Sequence, residues 1–277
     1  MKNPLHIILA SVLLSCSVSL FSEQESARAG MNFIETKVYS HQEDLLLLEK
    51  FEGLRVADVS DGMDKVGLPD VGFVDPAIHP LWKDAVTYKH RIIGIAVTAR
   101  YVPTQRGHAA ARDTEGFDAW VGHFYHNYSS EPFVQLLREG SVLVIDEADD
   151  TDVGSIGSNN ILAWMKAGAV GVITDGTSRD TDEIITQKVP LYLRQIGRGI
   201  RPGRNEIESV NRPVTIGGAL VMPGDVIVAD GDGVIVVPRA VAEEVAAYAH
   251  KVIEGDKAGR RALYKQLGLE EDISVKE

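Results

Sequence analysis

Cysteine is almost missing from this 277-residue chain: Cys16 is the only one, and it lies in a leader-like segment. Removal of that segment leaves no thiol, which excludes disulfides, zinc thiolates and a cysteine nucleophile in the mature protein. Positive charge is also scarce. Lys and Arg total 28 against 40 Asp and Glu, a net charge of -12. Such a surface repels a phosphate backbone, so no nucleic-acid partner is expected. No apolar run comfortably reaches the ~20 residues of a bilayer-spanning helix, and no membrane association is expected beyond a lipid anchor. Internal repeats and Gly/Ser or Pro-rich linkers are absent too. What remains is ordinary globular composition, 44% hydrophobic and 25% charged, in a length that suits one large domain.

The first residues differ from the rest. Lys2 precedes a largely apolar run from Ile7 to Phe21, and Ala27-Arg28-Ala29 stands before Gly30. This is the layout of a secretory signal peptide, so residues 1–29 are expected to be removed on export to the periplasm or medium. Leu13-Leu14-Ser15-Cys16 offers a lipoprotein reading, with Cys16 acylated, and an uncleaved anchor is the third alternative.

Beyond the leader, the stretch from His41 to Phe51 reads as a helix with a broad apolar face. A second helix opens near Val56, capped by Ser60 or Asp61, with Met63 and Val66 inward and Gly67 ending it. Arg91 to Tyr101, Ser141 to Asp146 and Ala169 to Thr174 are β-branched, acid-poor runs that read as buried strands. A helix from Asn159 to Ala167 lies between the last two, which makes a parallel βαβ crossover. Four short strands follow, at Pro213 to Gly218, Leu220 to Met222, Asp225 to Ala229 and Gly233 to Pro238. An Ala-rich helix from Ala240 to Ile253 comes last. The pattern predicts one α/β domain over residues 30–254, with a long middle insertion from Val102 to Pro132 and a helical tail at 255–277.

Two polar clusters follow neighbouring parallel strands, where α/β sheets place their ligands. The first is Asp146 to Asp152, leading into a Gly/Ser turn from Gly154 to Asn160 whose N–H groups suit an anion. The second is Asp175 to Asp180 with Asp182 and Glu183. It pairs an anion clamp, Arg179, with hard-oxygen ligands from Asp180, Asp175 or Glu183. The bland alternative makes Asp180 or Thr181 a cap for the helix that follows. The insertion carries Arg106, His108, Arg112, His123, Tyr125, His126 and Tyr128. His123 and His126 are spaced for a metal on a helix, but the insertion reads better as a loop walling a pocket, with Trp120 and Tyr125 lining it.

GSNNILAWMKAGAVGVITDGTSRD (Gly157 to Asp180), VSDGMDKVGL (Val59 to Leu68), IGIAVTARY (Ile93 to Tyr101) and PVTIGGALVMPGDVIVADGDGVIVVP (Pro213 to Pro238) together resemble the RraA-like family. That family holds the regulators of ribonuclease activity A, the 4-hydroxy-4-methyl-2-oxoglutarate aldolases and the oxaloacetate decarboxylases. The resemblance covers most of residues 45–250. It implies a swivelling β/β/α fold, a homotrimer or dimer of trimers, and a Mg²⁺- or Mn²⁺-dependent lyase acting on a small 2-keto acid. Arg179 and Asp180 would be the catalytic pair, Asp180 ligating the metal. Gly157, Ser158, Asn159 and Asn160 would join Arg179 in binding substrate.

The family's enzymes share an acid, some twenty positions, then Arg-Asp, and Ser158 stands where that acid belongs. Asp175, or one of Asp149, Asp150 and Asp152, is the expected substitute. Retro-aldol cleavage needs a base for the hydroxyl proton and decarboxylation does not, so the aldolase reaction is expected to suffer first. The alternative from another class is a non-catalytic binding protein on the same scaffold, or a site refitted for a larger ligand.

The leader makes the first prediction. N-terminal sequencing of exported protein begins at Gly30, or mass spectrometry finds an acylated Cys16; full-length chain recovered from the cytoplasm contradicts both.

Overall fold

A computed structural model describes residues 27–28, 30–107, 113–147 and 152–276. The expected leader therefore lies almost wholly outside the described residues, as do His108, Arg112, Asp149 and Asp150. Residues 36–277 form one compact unit. Among the described residues no helix is long and apolar enough to cross a membrane.

The sheet is organised around one long strand, β2 (Ile92–Pro103), preceded by the short β1 (His79–Pro80). On one side β2 runs parallel to β3 (Ser141–Asp146), which is followed by β4 (Ala169–Ser178) and β5 (Leu191–Ile196), all parallel. On the other side β2 is shared. Its first half pairs antiparallel with β9 (Val226–Asp230) and its second half with β6 (Asn205–Val210). β10 (Gly233–Val237) continues from β9, giving the order β1-β5-β4-β3-β2-β9-β10 with β6 off the path. β7 (Val214–Ile216) and β8 (Ala219–Val221) form a separate hairpin. The segment around 73–81 nearly closes the sheet into a barrel, bridging Phe73 to Ile235 at one end and pairing His79 with Leu193 at the other.

Helices cover both sides because the apolar residues of the strands face both ways. α1 (His41–Glu49), α2 (Val56–Lys65) and the C-terminal helix (Ala242–Leu267) pack with Val226, Val228, Ile235 and Val237. Val142, Val144 and Ile173 face the β7–β8 hairpin. Leu143, Ile145 and Val172 pack instead under the crossover helix Ser158–Lys166 and the helix Thr181–Gln187. In chain order these helices are α4 and α5, after the insertion helix α3 (Thr114–Asn127); the C-terminal helix is α6.

Several sequence expectations need correction. α2 opens at Val56 as expected, but Ser60 and Asp61 lie inside it and do not cap it; Arg55 is the cap residue, and Asp58 at the third position closes the first turn by accepting the Arg55 N–H at 2.9 Å. β4 does not end at Thr174; it runs to Ser178 through a register shift between Thr174 and Thr177, so Asp175 belongs to a strand. The insertion is no simple loop. Its first two residues complete β2, and Asp113 caps α3 by accepting the Gly116 N–H at 2.7 Å. α6 runs unbroken across residues 254 and 255 and ends at Gly268, where φ is 67°.

One buried carboxyl gives the fold a pH signature. Asp225, in the turn before β9, accepts the N–H groups of Met222 (2.8 Å) and Arg239 (3.0 Å). Burial outweighs these bonds and pushes its carboxyl up to about 6. A raised carboxyl pKa means the folded state holds the proton longer, so this group's contribution is full below about pH 4 and declines as pH rises to about 6. Carbon-detected NMR should find Asp225 titrating near pH 6; a midpoint below about 4.5 contradicts the burial argument.

Candidate functional site

The expected Arg179–Asp180 pair sits where β4 ends. The segment 153–156 lies beside that end like an added strand, with Ile156 bridged in parallel to Ser178. The two carbonyls at its ends are engaged from β4 and the residue after it: Thr177 Oγ1 donates to Val153 O, Ser178 Oγ donates to Ile156 O at 2.9 Å, and Arg179 N donates there at 2.8 Å. The chain then turns sharply. Asp180 adopts φ 55°, ψ 39°, a left-handed conformation that Asp tolerates better than most residues at a modest cost.

That turn decides where the carboxylate goes. Asp180 occupies the N-cap position of α5 but makes no side-chain cap there. Its Oδ2 instead accepts the Ser158 N–H at 3.0 Å and approaches Ser158 Oγ at 3.3 Å, which caps the neighbouring helix α4. The capping expectation was right in kind and wrong in helix. The αL turn swings the carboxylate across to the helix whose N-terminus follows Gly157.

Two glycines permit this approach. A Cβ on Gly154 would stand 2.6 Å from Cβ of Arg179, so the arginine stem lies directly on the bare backbone. A Cβ on Gly157 would stand 2.9 Å from Asp180 Oδ2, 3.7 Å from Asn160 Oδ1 and 3.8 Å from Arg179 Nε. The space left by that missing side chain is therefore ringed by a carboxylate oxygen, an amide oxygen and a guanidinium. Arg179 and Asp180 remain 38% and 39% exposed, reachable from solvent, with Arg179 Nε 3.9 Å from Asp180 Oδ1. Ser158 is buried beneath them and Asn159 is exposed.

Of the expected substitutes for the acid at 158, the two among the described residues are engaged elsewhere. Asp152 accepts from the Arg198 backbone N–H and from Arg198 Nε, each at 2.6 Å, and this arginine holds its carboxyl below the usual range. Asp175 accepts the Glu147 N–H at 3.0 Å, and burial pushes its carboxyl upward. Glu183 is exposed on α5. His123 and His126 share α3, but the His123 ring packs edge-on against Tyr128 and His126 is exposed. Among the described residues no three His, Cys, Asp or Glu side chains are grouped to hold a metal ion. Trp120 packs between Phe117 and Phe124 at ring separations of 5.8 and 6.0 Å.

A polar network escaped the sequence reading. Glu131, at the end of the insertion, accepts Asn160 Nδ2 at 2.6 Å, Trp164 Nε1 at 2.9 Å and the guanidinium of Arg201. Arg201 is only 3% exposed, and it also donates to Tyr101 Oη at 2.5 Å. Burial pushes the Tyr101 phenol well up, so it stays protonated and donates to Ser130 O at 2.9 Å. Nearby, Glu147 accepts from Ser155 Oγ and Asn205 Nδ2, in a second buried cluster under the 153–156 segment.

This architecture can be set beside known proteins. A family model described as Aldolase/RraA matches residues 56–236. The chain belongs to the RraA-like family. A putative 4-hydroxy-4-methyl-2-oxoglutarate aldolase of Halalkalibacterium halodurans is 34% identical over 126 residues, 45% of this chain and 59% of that protein. A 4-hydroxy-4-methyl-2-oxoglutarate aldolase of Thermus thermophilus is 32% identical over 105 residues, 36% of this chain and 60% of its own length. Protein DlpA of Legionella pneumophila matches 72% of this chain at 26% identity, and this chain spans only 28% of it. Among solved structures, Streptomyces coelicolor RraAS2, described as an unusual member of the RNase ES inhibitor RraA protein family, has the same fold. Its TM-score is 0.61 at 20% identity, covering 82% of this chain and 99% of that one. The expected α/β fold of the RraA-like type is thus the observed one.

The glycine cradle predicts a selective defect. Gly157→Ala places a methyl against Asp180 Oδ2 and should displace the Arg179–Asp180 turn while leaving the buried sheet intact. Circular dichroism should stay native, and any ligand binding that depends on Asp180 should fall roughly 10-fold or more. Unchanged binding contradicts the cradle.

Proposed function

We propose that this chain is a divalent-metal-dependent lyase that cleaves a C–C bond in small 2-keto acids. Its reactions are retro-aldol cleavage of 4-hydroxy-4-methyl-2-oxoglutarate-type substrates and decarboxylation of oxaloacetate. The observation that carries the reading is the open space over Gly157, bordered by Asp180 Oδ2 and Arg179 Nε. Relatives named as aldolases at 32–34% identity over parts of the chain support a lyase in this family.

The residues present fit a hard divalent ion. Mg²⁺ keeps several waters and is commonly held by one or two carboxylates with the substrate, and a half-exposed Asp180 beside a Cβ-sized space meets that need. Asp180 would hold the ion, Mg²⁺ or Mn²⁺, whose chemistry is to stabilise negative charge on the keto oxygen. Arg179 binds the substrate carboxylate, its planar fork matching two oxygens at once. The first turn of α4, with N–H groups that have no carbonyl one turn back, orients the anion from the Asn159–Asn160 side. Ser158 brings a hydroxyl already turned to Asp180, not a carboxylate base.

Loss of that base separates the two reactions. A retro-aldol step must remove a hydroxyl proton, whereas decarboxylation releases CO2 and is protonated afterwards. The proposal therefore favours oxaloacetate. It also takes the active form to be an exported homotrimer or dimer of trimers.

Pyruvate release from a panel of 2-keto acids with Mg²⁺ or Mn²⁺ tests this. Asp180→Ala should abolish turnover without unfolding the chain, and Arg179→Lys should lower it on the order of 10²-fold despite keeping the charge. Ser158→Asp should raise aldol cleavage by roughly 10²-fold or more while oxaloacetate decarboxylation changes little. Full metal-dependent turnover in Asp180→Ala overturns the assignment.

A further inference from the structure

We propose that Asn160 supplies a second oxygen ligand to the divalent cation held at Asp180, and that Glu131 is the residue positioning it. The inference rests on the lyase reading above. Asn160 carries one donor group and one acceptor on its side chain. Its Nδ2 donates to Glu131 Oε1 at 2.6 Å. A carboxylate paired with arginine accepts and does not donate, so flipping the amide would set two lone pairs against each other. The amide therefore has one orientation. It turns Oδ1 to the space over Gly157, 3.7 Å from where a Cβ would stand, and Asp180 Oδ2 faces the same point from 2.9 Å.

A carboxylate oxygen and an amide oxygen are both hard donors that Mg²⁺, Mn²⁺ or Ca²⁺ accept. The pairing also avoids the repulsion of two carboxylates at one site. This answers the departure at position 158, where an acid is expected and a serine stands: the second oxygen arrives from Asn160 on the same helix.

Glu131 holds its place through three donors, two on α4 and one on the segment after β5. Trp164 Nε1 on α4 reaches its second oxygen at 2.9 Å, and Arg201, behind β5, donates to Oε1 beside Asn160. Arg201 is in turn tied to Tyr101 on β2 at 2.5 Å. A buried guanidinium is a costly way to fill a core, and an apolar cluster would be at least as stable. Its return here is orientation, since it keeps Glu131 aimed at the amide of Asn160. Glu131 belongs to the insertion, so that stretch sets the geometry of the metal side of the site.

Binding of Mn²⁺ to the metal-stripped full chain, followed by electron paramagnetic resonance, separates the possibilities. The unmutated chain should bind, Asn160→Ala should bind roughly 10-fold or more weaker, and Glu131→Gln should weaken binding by about as much through the amide it no longer fixes. Equal Mn²⁺ affinity in Asn160→Ala overturns the inference and leaves the lyase reading standing. No binding by the unmutated chain overturns both. A readout free of mutation is the Asn160 side-chain amide signal in 15N NMR. It should be slow to exchange before metal is added and should shift on addition of diamagnetic Mg²⁺; a signal that does not move with Mg²⁺ also overturns the inference.

Discussion

Everything at this site depends on backbone lying bare where two side chains would ordinarily stand. Gly154 carries the stem of Arg179 and Gly157 faces the carboxylate of Asp180, both inside the distance any Cβ would need. The close approach lets Asp180, just past the end of one strand, cap the helix that precedes that strand. Sheet, helix and functional residues are thereby fixed to one another by contacts at 2.8 to 3.0 Å. The left-handed turn at Asp180 is the conformational cost of that arrangement, and it aims the carboxylate away from its own helix.

The parallel strands supply the rigid floor. β3 and β4 are buried on both faces, so the end of β4 has little freedom to move. On one face the crossover helix presents its N-terminus to the site, and beneath it lies the Glu131–Arg201–Tyr101 network. These layers connect the insertion to the site through hydrogen bonds, with α3 held on the outer side by Phe124 and the Arg201 contact to Tyr125 at 5.5 Å.

The sequence made the local part of this legible. The βαβ unit, the buried β2 run and the Gly157-to-Asp180 stretch are contiguous, so their periodicity and glycine placement are visible without a fold. Leu191–Ile196 and Asn205–Val210 were not visible as strands, because LYLRQI and NEIESV mix charges into short runs that only their neighbours in the sheet explain. α3 resembles loop in sequence because it buries a single residue, Phe124, and so carries a weak apolar stripe. Long-range pairs were the least legible. Glu131 and Arg201 are 70 residues apart, and Asp152 is claimed by Arg198 at a separation of 46, so neither the network nor the loss of Asp152 as a spare acid has a local signature.

Under the proposed lyase reading, substrate and metal meet over Gly157, between Asp180 and Arg179. A crystal structure with Mn²⁺ and oxalate, a planar mimic of the pyruvate enolate, tests it most directly. An anomalous manganese peak should stand against Asp180, with an oxalate carboxylate on the Arg179 guanidinium. A manganese peak bound elsewhere, or oxalate seated away from Arg179, contradicts it.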